Sequence, residues 1–128
     1  MEAMLEWVRK IAQQVTNGNM EALYDAMSDD VVYRVTSPPN APWAGTHRGK
    51  DQIRRALGHN LADIKTFRLV DVFGSGERYA MLLHEHYVVR STGKHVEHDN
   101  VVVFRVKDGR IIELEEFGDS AQIQAAFQ

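Results

Sequence analysis

The chain has 128 residues, a length that suits one domain over residues 1–128, and 44% of them are hydrophobic, enough for a core without staples. The absence of cysteine excludes disulfides, thiol nucleophiles and cysteine metal sites, and it suits a reducing, cytoplasmic setting. Net charge is −3 with acids and bases interspersed, which excludes the basic stripe of a nucleic-acid binder, and MEAMLEWVRK at the start reads as neither a signal peptide nor a membrane span.

Residues 2 to 16 carry apolar side chains at helical spacing: Met4, Leu5, Val8, Ile11, Ala12 and Val15. Asn17-Gly18 ends that helix, with Gly18 suited to a left-handed cap. Asn19 is the expected cap of a second, shorter helix with Met20, Leu23, Tyr24 and Met27 as its stripe, and Asp29-Asp30 is expected to break it. VVYRV from Val31 reads as a strand with Val31, Tyr33 and Val35 on one side. Thr36 to Gly49 holds all three prolines and two glycines and reads as a loop. Trp43 within it either plugs the core or lines a rim.

Residues 51 to 62 read as a helix with Ile53, Ala56, Leu57 and Leu61 as its stripe. Phe67 to Phe73 and Arg78 to Arg90 read as strands. Pairing Arg90 with His95 across the Ser91–Lys94 turn sets Tyr87 opposite His98, Glu85 opposite Asn100 and Leu83 opposite Val102. The last segment, from Gly118, starts a short helix capped by Asp119 or Ser120. Helices grouped early and antiparallel strands grouped late predict an α+β fold.

The most informative stretch runs from Val96 to Phe117, two strands about an Asp108-Gly109 turn. A two-residue type I′ turn would set Phe104 opposite Glu113 and Val103 opposite Leu114. A type I turn with Gly109 as a bulge would set Phe104 opposite Ile112, Val102 opposite Leu114 and Asn100 opposite Glu116. A slip of one residue reverses every side chain. The bulged turn is preferred, because it gathers Val102, Phe104, Ile112 and Leu114 on one face and leaves Arg105, Glu113 and Glu115 on the other. The inner face then continues into His98, Asn100 and Glu116, polar groups at the end of an apolar surface, as in a ligand pocket or a wet strand end.

NGNMEALYDAMSDDVVYRV, PWAGTHRGKDQIRRAL and VVVFRVKDGRIIELEEFGD, in this order and spacing, resemble the ketosteroid-isomerase-like superfamily, also called nuclear-transport-factor-2-like, and within it the SnoaL-like domains. The resemblance covers nearly the whole chain. It implies a cone-shaped barrel, a strongly curved and mostly antiparallel sheet wrapped over about three N-terminal helices, with a pocket at the open end and frequent dimers through the outer face. Members include isomerases, polyketide cyclases, epoxide hydrolases, dehydratases and proteins without catalysis, so the fold does not give the reaction. Ketosteroid isomerases place a tyrosine where this chain has Ile11 and a basic aspartate where it has Val35, so that mechanism is not expected. Members similar to limonene epoxide hydrolase use an arginine and two carboxylates. Glu116 aligns with the final-strand carboxylate and Glu85 could stand for the other, but no arginine sits beside it. Cyclases of the SnoaL type use an acid near the end of the last strand, where Glu116 and Asp119 stand.

The catalytic candidates are therefore Glu116, Asn100, His98, Glu85 and Tyr87, and the substrate-binding candidates are Tyr33, Val35, Trp43, Leu83, Val102, Phe104 and Leu114. Desolvation of Glu116 would raise its pKa towards neutrality, and a second carboxyl would let the pair divide acid and base roles. The plain alternatives are a strand-end glutamate in water and a buried Glu85 paired only structurally with Tyr33 or His98. His84 and His86 alternate onto the outer face, with His86 opposite Asp99, and do not converge with His98, so no metal and no cofactor is expected. The expected partner is a small apolar organic ligand, cyclic or polyketide-like. Val101, Val103, Ile111 and Phe117 fall on the outer face and are expected to form a homodimer interface, since each would leave roughly 1.5–3 kcal/mol of burial unused in water. A pocket left empty of shifted carboxylates and filled by Trp43 and Phe104 would instead mark a non-catalytic binding or dimerisation module.

Overall fold

The computed structural model describes residues 2–35 and 38–128. Thr36 and Ser37, which fall in the predicted loop, lie outside the described residues. Helix α1 (Glu2–Thr16) buries Val8, Ile11, Ala12 and Val15, the expected stripe. Gly18 follows at φ 93°, and its N–H closes the helix on the Val15 carbonyl at 3.0 Å. Helix α2 (Glu21–Ala26) is not capped by Asn19. The Asn19 amide turns back to Gln14 Oε1 at 2.8 Å, and Met20 holds the cap position with no side-chain bond.

Strand β1 (Met27–Val35) begins ahead of Asp29-Asp30 rather than after it. The expected loop contains a short strand, β2 (Gly45–Arg48), paired antiparallel with β1. Helix α3 (Gly49–Leu57) stops before Leu61, which leaves the stripe and is 38% exposed. Strand β3 (Ala62–Ser75) is twice the expected length, with Lys65 and Val70 bulged out of its pairing with β4 (Arg78–Val89). Each bulge breaks the alternation that a reader of the sequence follows, and each bends the strand. Strands β5 (His95–Lys107) and β6 (Arg110–Phe117) and helix α4 (Ser120–Ala126) complete the chain. Asp119 caps α4, accepting from Gln122 N–H at 3.0 Å.

The six strands form one sheet in the order β2-β1-β6-β5-β4-β3, antiparallel except for β1 beside β6. The fold is α+β, a curved sheet wrapped over α1, α2 and α3. Among the described residues no helix is long and apolar enough to cross a membrane.

The β5–β6 hairpin follows neither of the two expected registers. Asp108 and Gly109 both have positive φ, 53° and 73°, the type I′ turn. Lys107 pairs with Arg110 and Val106 with Ile111. Ile112 is then bulged, and the ladder resumes with Arg105 opposite Glu113, Phe104 opposite Leu114 and Val102 opposite Glu116. The bulge restores the parity that the type I′ turn would have reversed. Val102, Phe104, Leu114 and Glu116 therefore share a face, as expected, while Ile111 and Ile112 exchange places. Ile111 is fully buried in the core and leaves the predicted outer patch.

The β4–β5 pairing is also offset from expectation, by two residues. Val88 pairs with His95, Tyr87 with Val96, Glu85 with His98 and Leu83 with Asn100. The offset arises because the turn closes on Val89, whose N–H donates to the Lys94 carbonyl at 2.9 Å and whose carbonyl accepts from Gly93. An even shift leaves every side chain on its predicted face. On the outer face His84, not His86, lies opposite Asp99.

Cross-strand rows on the concave face run from an apolar end, through the polar residues, towards α4. Tyr79, Phe104, Leu114 and Tyr33 form the deepest row, each at most 2% exposed. Next come Met81, Val102, Glu116 and Val35; then Leu83 and Asn100; then Phe67, Glu85 and His98; then Ile64, Tyr87 and Val96 at the rim. A second apolar cluster of Ala41, Tyr87, Val89, Val96, Ile123 and Ala126 packs α4 against the rim.

Candidate functional site

A cavity of about 570 Å³, open to solvent on one side, lies between the concave face of the sheet and the helices. All five catalytic candidates line it: Glu116, Asn100, His98, Glu85 and Tyr87. So do six of the seven substrate-binding candidates, Tyr33, Val35, Trp43, Leu83, Val102 and Leu114. Phe104 does not. It shares a row with Tyr33 and Leu114, which do line the cavity, but has no exposed surface. The expectation that Phe104 forms the pocket wall is corrected: it faces inward, as expected, but core neighbours cover it completely.

Glu116 projects from β6 into the floor. The Tyr33 hydroxyl donates to its Oε2 and the Asn100 amide donates to its Oε1. Asn100 does not lie directly opposite Glu116 in the ladder; Val102 does, and the two side chains meet on the diagonal. The residue keeps some surface open to the cavity, but its carboxyl is walled in. Burial pushes the Glu116 pKa up, and the two donors pull against that rise by favouring the ionised form.

Glu85 stands on β4 with its side chain 15% exposed. Burial, then the charge of Glu116, pushes its pKa from 4.5 up to about 8. The Asn100 amide lies near enough to favour the charged form, but its hydrogen bond goes to Glu116. Two carboxyls thus share an apolar cavity whose described lining contains neither lysine nor arginine. Burial, reinforced by the carboxyls, raises the Tyr33 and Tyr87 phenols, so both stay neutral hydroxyls.

His98 is held in a fixed seat. The Asp119 N–H donates to its Nδ1 at 2.9 Å. Gln122 clasps the backbone of Glu97, accepting from its N–H and donating to its carbonyl, which ties α4 to β5 and sets Asp119 beside the ring. Gly118 lies against the ring, where a Cβ would stand 2.5 Å from His98 Cε1 and 2.8 Å from Nδ1. Burial lowers the His98 pKa, outweighing the charge of Asp119. An N–H donor at Nδ1 also requires a lone pair there, so the neutral ring carries its proton on Nε2.

Several lining residues carry no strong signal in the sequence. His59 follows α3 and stacks flat on Trp43, centroids 4.5 Å apart and planes 5° from parallel. Trp43 also meets Tyr87 and Phe127 edge-on, so it lines the cavity instead of plugging it. Phe67 and Ile64 enter from β3 because the bulge at Lys65 resets the facing between them. On the outer face His84 bridges Asp99 and Glu97, both at 2.9 Å, and both contacts raise its pKa.

The SnoaL-like domain family matches residues 8–114. No curated protein matches the chain. An NTF2-like protein from Burkholderia thailandensis E264 is similar in structure, with a TM-score of 0.84 and 24% identity over 97% of this chain and 96% of that one. A protein of unknown function with a cystatin-like fold from Xanthomonas campestris is similar at a TM-score of 0.76 and 26% identity, over 95% of each chain. TerC, co-crystallised with polyporic acid, is similar at a TM-score of 0.77 and 16% identity, over 95% of each chain.

Proposed function

The chain belongs to the SnoaL-like domain family, and from that premise we propose that it is a cofactor-independent acid–base enzyme acting on an apolar cyclic or polyketide-like ligand. The observation that carries this is the buried pair Glu85 and Glu116, set in an apolar cavity with no lysine or arginine among its described lining residues. Two coupled carboxyls in unlike surroundings take unlike roles. Glu116, anchored through Tyr33 and Asn100, is the group held for proton acceptance. Glu85, with no such anchor, is the group that keeps a proton at neutral pH. The chemistry that suits this arrangement is proton movement at carbon or oxygen, as in an isomerase, cyclase, lyase or epoxide hydrolase. TerC, of the same fold, takes up an organic ligand, which supports the ligand class.

In a proton abstraction, the ionised Glu116 takes a proton from a carbon next to a carbonyl. The C–H electron pair becomes the new C=C bond, and the carbonyl π pair moves to oxygen. A donor near that oxygen then stabilises the developing charge. The test uses α-tetralone as a probe ketone in deuterium oxide, with exchange at its α-carbon followed by proton NMR. Exchange above buffer that falls roughly 100-fold or more in Glu116→Gln supports the reading. Exchange unchanged in Glu116→Gln removes Glu116 from the chemistry. No exchange above buffer leaves a binding module of the same fold.

The reading extends to assembly. The outer face carries Phe117, 48% exposed, and Phe73, 49% exposed, beside Val101 and Val103. Arg34, Arg78, Arg105, Glu113 and Glu115 border it, charges of both signs that a two-fold copy could match. A homodimer through this face is therefore part of the proposal.

A further inference from the structure

We propose that the space between His98 Nε2 and Glu85 Oε1, 3.9 Å apart, is a seat for one neutral carbonyl oxygen of the ligand, which takes a hydrogen bond from each. This rests on the proposed role of the carboxyl pair and deepens it by naming the polar group that the cavity recognises.

Three observations converge. First, the Asp119 N–H on Nδ1 fixes the tautomer, so Nε2–H is the donor left over. Gly118 and the Gln122 clasp hold the ring in that orientation. Second, 3.9 Å is too long for a direct hydrogen bond. The two atoms therefore do not bond each other, both side chains face the cavity, and the Asn100 amide beside Glu85 is bonded to Glu116. A group in the cavity is placed to meet both. Third, the spacing fits a single acceptor. An oxygen about 2.8 Å from each atom would see the two donors about 90° apart, within reach of the two lone pairs of a carbonyl.

The groups facing Glu85 determine what it offers. Glu116 from β6, His98 and Asn100 from β5, Tyr33 from β1, and Tyr87 on its own strand surround it, and His84 acts from the opposite face of the sheet. Burial and Glu116 prevail over Asn100 and His84, so Glu85 carries a proton until about pH 8 and donates it. An anionic ligand group finds no lysine or arginine among the described lining residues and meets Glu116. A cation finds two donors aimed at it. A neutral carbonyl matches both donors.

The test compares α-tetralone with tetralin, the same ring system without the oxygen, by calorimetric titration. At pH 7 the wild type binds the ketone about tenfold more tightly than the hydrocarbon. The preference fades as the pH rises through about 8, because the Glu85 carboxylate no longer donates. Glu85→Gln retains the preference at both pH 7 and pH 9, since its amide still donates. Glu85→Leu loses the preference while still binding tetralin. Equal binding of the two probes by the wild type, a preference that survives in Glu85→Leu, or no binding of either at roughly millimolar probe overturns the seat. The exchange assay keeps the two readings apart. Ketone preference without exchange refutes the catalytic reading alone, and exchange without ketone preference refutes the seat alone.

Discussion

Glu85 costs the fold stability at neutral pH, and the sign follows from its proton. Its pKa rises from 4.5 to about 8 on folding. Between those values the folded state holds more protons than the unfolded chain, so this group makes stability fall as pH rises. A shift of that size is worth up to ~5 kcal/mol by linkage, and relaxation and water in an open cavity reduce it. Glu85→Gln is therefore expected to be more stable than wild type by about 1–3 kcal/mol at pH 8, with the gap closing near pH 4.5. Urea denaturation at several pH values measures it; a gap independent of pH contradicts the assignment. Gly118 makes a second residue-scale case. Its missing Cβ leaves room for the His98 ring, so Gly118→Ala should cost roughly 1–3 kcal/mol by overpacking. It should also move the imidazole nitrogen shifts in NMR, which a loss of stability alone would not do.

At the scale of elements, the β5–β6 hairpin decides which residues reach the cavity. Ile112 is the extra residue that corrects the facing after the type I′ turn. Deleting Ile112 would turn Leu114 and Glu116 to the outer face or break the turn. That deletion is expected to abolish cooperative unfolding, whereas Ile112→Thr, which keeps the residue count, should leave the fold intact. Circular dichroism melts separate the two, and a deletion variant with a normal melt contradicts the bulge. The hairpin also shows why the cavity face was legible while the register was not. Alternation of apolar and polar residues fixes facing, and facing survives an even shift or a compensating bulge. It carries no information on how far one strand slides past the next. Nor does it say which inward side chains their neighbours cover, as they cover Phe104, and it fails at the bulge itself, where Ile111 and Ile112 exchange faces. Phe67 and Ile64 stayed hidden because the bulges at Lys65 and Val70 interrupt the alternation that would have revealed them. His59 follows the end of α3, where no period runs.

At the scale of the molecule, the order of elements and three short motifs sufficed to anticipate a sheet wrapped over three helices with a pocket at its open end. Which inward side chains reach the cavity, as Tyr33 and Leu114 do and Phe104 of the same row does not, depends on how the whole fold packs. Phe117→Glu would place a charge beside Val101 and Val103 on the outer face, while the cavity lining stays untouched. Light scattering should show a dimer for wild type and a monomer for the variant, and a monomeric wild type at micromolar concentration contradicts the interface. Carbon-13 NMR titration of the glutamate carboxyls, assigned through Glu85→Gln and Glu116→Gln, tests whether two buried carboxyls share one cavity. One resonance, lost in Glu85→Gln, is expected to titrate near pH 8, the Glu116 resonance above the usual glutamate range, and removing Glu116 is expected to lower the Glu85 midpoint. Two resonances titrating independently near pH 4.5 would contradict it.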